Sequence, residues 1–316
     1  MHISKPVNII VLCNNEIAIP ALQQLYITGV LQAVVVPEKN KELITILQPL
    51  LAGSPVSLVV VNKNNLVPTI KTLATERKVT AALLMTFPYI IPASTLQVIP
   101  GGFINFHYGI LPKYRGSNPI LAQMLHGETE SGISIHIVDE KIDRGPVIMQ
   151  QKIAIELNDT FGIQLHKLGI LGASMVDRLL QFYQLDTVPP SVPQDESAAG
   201  YFKKVTANDL MINWNTMNSQ QVIRMINACN PWNKGAGTII NNQVIRFTEA
   251  EITGDDDSGE VPPGTIVSLN EKEGLKVICT DKKLIRVNII YLPEGFFSGK
   301  KLADYGIKEK DIFLSI

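Results

Sequence analysis

The chain has 316 residues, 46% of them hydrophobic, and a formal net charge of −1; that is enough for about two domains with sizeable cores and gives no electrostatic case for a large nucleic-acid footprint. Three scattered cysteines, Cys13, Cys229 and Cys279, argue against a disulfide framework and show no metal-ligand spacing, so no metal is expected. The first residues lack a signal-peptide layout and no apolar run reaches the ~18 residues needed to span a bilayer, which points to a reduced, soluble, cytoplasmic protein.

Val7–Cys13 is a short apolar run suited to a buried parallel strand. Glu16–Thr28 reads as a helix with Asn14 or Asn15 as its cap. Leu31–Val36, Leu58–Val61 and Ala81–Met85 read as further strands, with helical patterns between most of them, notably Val67–Arg77. Alternating strand and helix predicts an α/β fold with a doubly wound, mostly parallel sheet, whose ligands bind beyond the carboxyl ends of the strands. The first strand-to-helix turn, Cys13-Asn14-Asn15-Glu16, contains no glycine, which disfavours a dinucleotide site.

Phe87-Pro88-Tyr89-Ile90-Ile91-Pro92 follows as an apolar loop with two turn prolines. In Phe103–His107, Ile104 and Phe106 alternate with Asn105 and His107. Alternate side chains of a strand point the same way, so the amide and the imidazole share one face, as expected if both address one small reacting group. Leu111-Pro112-Lys113-Tyr114-Arg115-Gly116 reads as a loop before a helix over Asn118–Leu125. Ile133, Ile135 and Ile137 then mark a strand that runs out into Asp139–Gly145, where Gly145 permits a tight backbone after Asp143. His126, at a helix end, is expected to be structural, and His136 to support the site.

Asn105, His107 and Asp143 together form an acyl-transfer constellation that needs no nucleophile. An amide can donate to a developing oxyanion, typically worth ~10²–10³ in rate. The imidazole can protonate or hydrogen-bond the same oxygen. The carboxylate can orient the imidazole and hold it charged, or take the proton leaving an attacking amine.

Gly145–Ile155 reads as another strand, and apolar residues at gaps of three and four make Thr160–Gln184 a long amphipathic helix. Asp186–Gly200, with three prolines and many polar residues, is a linker. The second domain opens near Ala207. It contains a helix over Ser219–Cys229, with Val222, Ile223 and Ile226 inward, turned by Asn230-Pro231-Trp232. Short strands follow at Gly237–Ile240, Val244–Glu249, Gly264–Leu269, Leu275–Thr280 and Leu284–Tyr291, separated by polar turns such as Gly254-Asp255-Asp256-Asp257, and together suggest a small barrel. The expected division is therefore 1–185, a linker over 186–205, and 206–316.

The order Asn105-x-His107, Leu111-Pro112-x-Tyr114-Arg115-Gly116 and Asp143-x-Gly145 resembles the folate-dependent formyltransferase family, which includes methionyl-tRNA, glycinamide ribonucleotide and sugar-nucleotide formyltransferases. Pro193-Gln194-Asp195-Glu196 with Tyr201 and Lys203 resembles the joint between that family's domains, and Arg224 to Trp232 a segment of its C-terminal domain. The resemblance implies an OB-like C-terminal barrel, catalytic Asn105, His107 and Asp143, and 10-formyltetrahydrofolate as the formyl donor. It implies a pterin wall at Phe87, Tyr89, Ile90, Ile91 and Pro92, with Leu111, Pro112, Val138, Asp139 and Ile142 completing the donor site. Lys113 and Arg115 are either solvated charges or contacts to the folate tail or an anionic acceptor, and Arg115 with Gly116 is assigned to the acceptor.

The acceptor implied is a primary amine. Two-domain length, the linker and Asn-Pro-Trp favour methionyl-tRNA. Against it, Val36–Glu42 is short and mixed in charge where tRNA-binding relatives insert a basic loop, and residues 206–316 carry 12 Lys plus Arg against 14 Asp plus Glu, whereas phosphate contacts demand positive charge. An amino-sugar nucleotide is the alternative acceptor, and a 10-formyltetrahydrofolate hydrolase the lesser alternative activity.

Overall fold

The computed structural model describes residues 6–255 and 261–315. The chain divides into two compact units. One comprises the residues up to Pro119 with Glu130–Ala154 and Leu165–Phe202; the other comprises Ile120–Thr129, Ile155–Gln164 and the residues from Lys203 onward. The predicted turn at Gly254-Asp255-Asp256-Asp257 lies partly outside the described residues.

The first unit runs β1 (Ile9–Cys13), α1 (Ile19–Ile27), β2 (Leu31–Pro37), α2 (Lys41–Leu51), β3 (Ser57–Val61), α3 (Leu66–Glu76), β4 (Ala81–Met85), α4 (Ala93–Leu96), β5 (Phe103–His107) and β6 (Arg115–Gly116). It continues through β7 (Glu130–Ile137), β8 (Val147–Ala154) and β9 (Tyr201–Phe202), and the chain also forms α5 (Pro119–Leu125) and α6 (Phe161–Gln184). The Asn15 side chain caps the turn that leads into α1 by accepting from Ile17 N. Helix α2 was not anticipated. Its buried face is only Leu43 and Leu47, its first turn is charged, and Pro49 lies inside it, so the sequence pattern is weak while the Asn40 cap on Leu43 N holds the start.

The main sheet has the order β3-β2-β1-β4-β5-β7-β8. Neighbours from β3 through β5 pair in parallel, whereas β7 is antiparallel to β5 and to β8. Ile10, Leu12, Ala33, Val35, Ala82 and Leu84 pack on one face with Leu66, Ile70 and Leu73 of α3. Their alternates Ile9, Val11, Val34, Val36, Ala81 and Leu83 are equally buried on the other. Each fully buried branched side chain contributes roughly 1.5–3 kcal/mol, which explains why these strands read as unbroken apolar runs. The chain re-enters this unit within α6, at Leu165, and stays in it to Phe202. A bridge joins Val147 to Val192, β9 pairs with β6, and Phe202 stacks on Tyr114 with ring centroids 4.9 Å apart.

The second unit holds α7 (Ser219–Ala228), β10 (Ala236–Ile240), β11 (Gln243–Asp255), β12 (Ile266–Asn270), β13 (Gly274–Ile278), β14 (Lys283–Leu292) and β15 (Gly295–Ser298). The antiparallel order is β10-β11-β14-β13-β12, with β15 added to β14. The C-terminal segment closes it into a small barrel, because Leu314 bridges to Ile239 of edge strand β10 and Ile312 bridges to Thr265 beside edge strand β12. Closure removes the exposed edges that an open sheet would leave. Asn218 and Gln221 form a capping box on α7, whose Val222, Ile223 and Ile226 are buried in the barrel core with Trp214, Phe247 and Phe313.

Candidate active site

The site forms at the ends of two neighbouring strands. Register places Asn105 of β5 between Leu84 of β4 and His136 of β7. His136 Nδ1 lies 2.9 Å from the Ile137 carbonyl oxygen, so that nitrogen carries the proton and Nε2 accepts. Asn105 Nδ2 lies 3.0 Å from that Nε2 and 3.5 Å from Asp143 Oδ1. The reverse orientation of the amide would set its oxygen against the carboxylate, so this assignment is the satisfied one. His107 Nδ1 lies 3.5 Å from Asp143 Oδ1, and its Nε2 donates to the Tyr114 carbonyl. The three residues chosen from the sequence are thus brought together, with His136 added.

Two glycines make this geometry possible. Gly116 has φ +117, and its N–H donates to Asp143 Oδ2 at 3.0 Å. At Gly145 a Cβ would collide with the Ile137 carbonyl oxygen, so the requirement there is close approach, while the left-handed conformation falls on Asp143 itself, at φ +55. The Asp143 side chain is 10% exposed. Burial pushes its carboxyl up, but the hydrogen bond and charge of His107 and the Gly116 N–H outweigh burial and hold it well below the usual carboxylate range. A cavity of about 420 Å³ lies against the same loop, lined by Arg115, Lys141, Ile142, Arg144, Gly200 and Tyr201.

Residues 32–168 match the formyl transferase family, and residues 204–296 match the formyl transferase C-terminal domain. Sequence relatives include the methionyl-tRNA formyltransferase of Staphylococcus aureus strain MW2, 33% identical over 229 residues that cover 68% of this chain and 72% of that protein. The methionyl-tRNA formyltransferase of Dictyoglomus thermophilum is 33% identical over 230 residues, covering 73% of this chain and 71% of that one. The chain belongs to the formyltransferase family. Solved structures with the same fold include the N-formyltransferase of Helicobacter canadensis in complex with folinic acid and dTDP-3-aminofucose, with TM-score 0.68, 18% identity, and coverage of 88% of this chain and 98% of that one. HypX of Aquifex aeolicus with tetrahydrofolic acid gives TM-score 0.62 at 16% identity, covering 96% of this chain and 49% of that one.

In this formyltransferase the expected donor-side residues are distributed unevenly. Phe87 and Tyr89 meet edge to face at 5.5 Å and pack with Val138 on the core cluster that contains Ile91. Ile90 and Pro92 point outward, Ile90 being 69% exposed. Leu111 is buried, with its N–H on Ser134 Oγ and its carbonyl on Gln150 Nε2. The Pro112 carbonyl accepts from Gly200 N, and the Asp139 carboxylate accepts from Lys141 N in the local turn. Of the residues expected at donor and acceptor, Arg115 and Ile142 line the cavity beside Asp143.

Arg115, expected at the acceptor, lines that cavity but is largely turned inward. It is 3% exposed; Nε and Nη2 donate to Gln194 Oε1 at 3.2 and 2.8 Å, and Nη1 and Nη2 donate to Glu196 at 3.0 and 2.7 Å. Sequence reasoning missed Gln194, whose Nε2 donates to the carbonyls of Asp143 and Gly145, both at 2.8 Å. His126 Nδ1 lies 2.7 Å from the Ala122 carbonyl oxygen one turn back. Among the described residues, no group of His, Cys, Asp and Glu is placed to hold a metal, and no helix is long and apolar enough to cross a membrane.

Proposed function

We propose that this formyltransferase moves the formyl group of 10-formyltetrahydrofolate to the amino group of methionyl-tRNA. The observation that carries the chemistry is the contact of an amide, an imidazole and a depressed carboxylate within 3.5 Å at adjoining strand ends. The acceptor rests on the relatives of that name at 33% identity. A flat pterin wants apolar walls with a few fixed polar groups, and Phe87, Tyr89, Ile91 and Val138 gather on one cluster at the end of β4. Lys141 and Arg144 beside Asp143 give the neighbouring cavity a cationic edge suited to a phosphate-bearing acceptor.

In the proposed reaction the unprotonated amine attacks the formyl carbon. A new C–N bond forms and the carbonyl electrons move onto oxygen. Asn105 and His107 donate to that oxygen, which takes over the N–H groups now directed at Asp143 and the Tyr114 carbonyl. Asp143 receives the amine proton, directly or through His107. The bond to the donor nitrogen then breaks as that nitrogen takes up the proton received by Asp143, leaving tetrahydrofolate and an N-formyl product and returning the carboxylate to its charged form.

A second reading, transfer to a nucleotide-linked amino sugar, is favoured by charge. Residues 206–316 carry 12 basic against 14 acidic side chains. The second unit also holds a cavity of about 440 Å³ in which Glu128, Glu156, Asp159 and Glu251 face a single guanidinium, Arg224, a poor seat for a phosphate backbone. Purified protein with 10-formyltetrahydrofolate, offered methionyl-tRNA and a panel of amino-sugar nucleotides, separates these readings by mass spectrometry. The mass of a formyl group on methionyl-tRNA is expected. Formylation of a sugar alone transfers the case to the second reading, and formate release without any amine product indicates a hydrolase.

A further inference from the structure

Resting on that catalytic reading, we infer that Gln194 is a positioning residue for Asp143, anchored by Arg115. Asp143 is held twice. Its side chain accepts from the Gly116 N–H at 3.0 Å. Its own carbonyl, and that of Gly145, accept from the two N–H groups of Gln194 at 2.8 Å each. The Gln194 oxygen accepts from Arg115 Nε and Nη2. Every donor and acceptor of the amide is therefore engaged, and the opposite orientation would face oxygen to two carbonyls and N–H to a guanidinium.

The anchors come from one place. Arg115 and Gly116 are the whole of β6, paired in parallel with Tyr201 and Phe202. One residue of that strand addresses the Asp143 carboxylate, and the other reaches its backbone through Gln194. The grip has something to hold against, because Asp143 sits at φ +55, a left-handed conformation that strains a non-glycine residue and persists only where its surroundings impose it. Releasing the two carbonyls lets the loop relax and moves the carboxylate away from His107 and Asn105. Misplacement by 1 Å at a reacting centre costs up to ~10²-fold in rate.

The test is a double-mutant cycle on the full chain, read by steady-state formyl transfer. Gln194→Glu keeps an acceptor for Arg115 while removing both N–H donors. It is expected to lower kcat roughly 10–100-fold, with the KM for the donor changed less than about twofold and the melting temperature retained. If Gln194 acts through Asp143, the same substitution in an Asp143→Asn background adds little further loss, because both changes disable one unit. Gln194→Met, of similar size and uncharged, is carried through the same cycle to cover misfolding of the first variant. Wild-type kcat in both single variants, or losses that multiply in full in the double mutant, would overturn the inference while leaving the catalytic reading intact. Absence of formyl transfer by the wild type would overturn both.

Discussion

Two buried clusters of this chain, the aromatic core of the barrel and the polar site on β5, are held by opposite physics. In the barrel core, Trp214, Phe247 and Phe313 meet at ring-centroid distances of 5.1 to 6.1 Å, and the Trp214 N–H is satisfied by Thr238 Oγ1 at 2.9 Å. Burial there is favourable on its own account. At the end of β5, Asn105, His107, His136 and Asp143 occupy positions that Val or Leu would fill at lower cost, since a desolvated charge is recovered only through good hydrogen bonds. The Gly116 N–H, the Asn105 amide and the His107 imidazole provide those bonds for Asp143. Shape is what the first cluster secures; a carboxylate in its charged form is what the second secures.

Two substitutions can break that contrast. Replacing His107 with Ala is expected to lower kcat by about 10²–10⁴-fold, the usual range for a positioned acid or base, with circular dichroism and the melting transition preserved. Trp214→Ala is expected to do the reverse and cost roughly 3–5 kcal/mol of stability, as for other buried aromatic truncations, measured by urea denaturation. A large stability loss for His107→Ala with activity per folded molecule unchanged would place the polar cluster among structural features and end the distinction.

The two regions also differed in how well their sequences announced them. The apolar strands were legible because both faces are buried, so β4 was expected at Ala81–Met85 and occurs there. The inward face of α7 was legible from its three-and-four spacing. Asn105 and His107 stood out as polar residues alternating with buried apolar ones. His136 entered as a supporting residue without a partner, because its partner is fixed by cross-strand register with Asn105. Gln194 lies 51 residues from Asp143 in a proline-rich stretch that reads as linker. Local pattern carries no trace of that return, and β9, which fixes it, is two residues long. The partners of Arg115, which was assigned to the acceptor, were hidden for the same reason, since Gln194 and Glu196 lie about 80 positions away, at separations of 79 and 81.

Acid titration sharpens the contrast at smaller scale. Burial opposes ionisation of Asp143, but its hydrogen-bond donors and the charge of His107 prevail, so its folded-state pKa lies below the ordinary 3.8. A group depressed on folding contributes stability that is present above its unfolded pKa and is lost as pH falls through the folded one. Urea denaturation of wild type should therefore show stability declining below about pH 4, and Asp143→Asn, which has no such proton to bind, should show a flatter profile there. Parallel profiles for the two proteins would mean that the carboxylate gains nothing from its surroundings.

The smallest effect expected comes from a pair that looks similar on paper. Glu251 and Arg286 face each other across β11 and β14, and Arg286 Nε donates to the Glu251 carboxylate at 3.0 Å. Both side chains are nearly half exposed, at 49% and 45%, so water already solvates the charges and salt screens them. Glu251→Gln should cost no more than ~1 kcal/mol at low ionic strength and still less in high salt, measured by the same denaturation. Asp143 and Glu251 each accept several hydrogen bonds, so counting contacts would rank them alike. What separates them is how far each carboxylate has been taken out of water, and a loss at Glu251 of several kcal/mol would show that burial is the wrong variable.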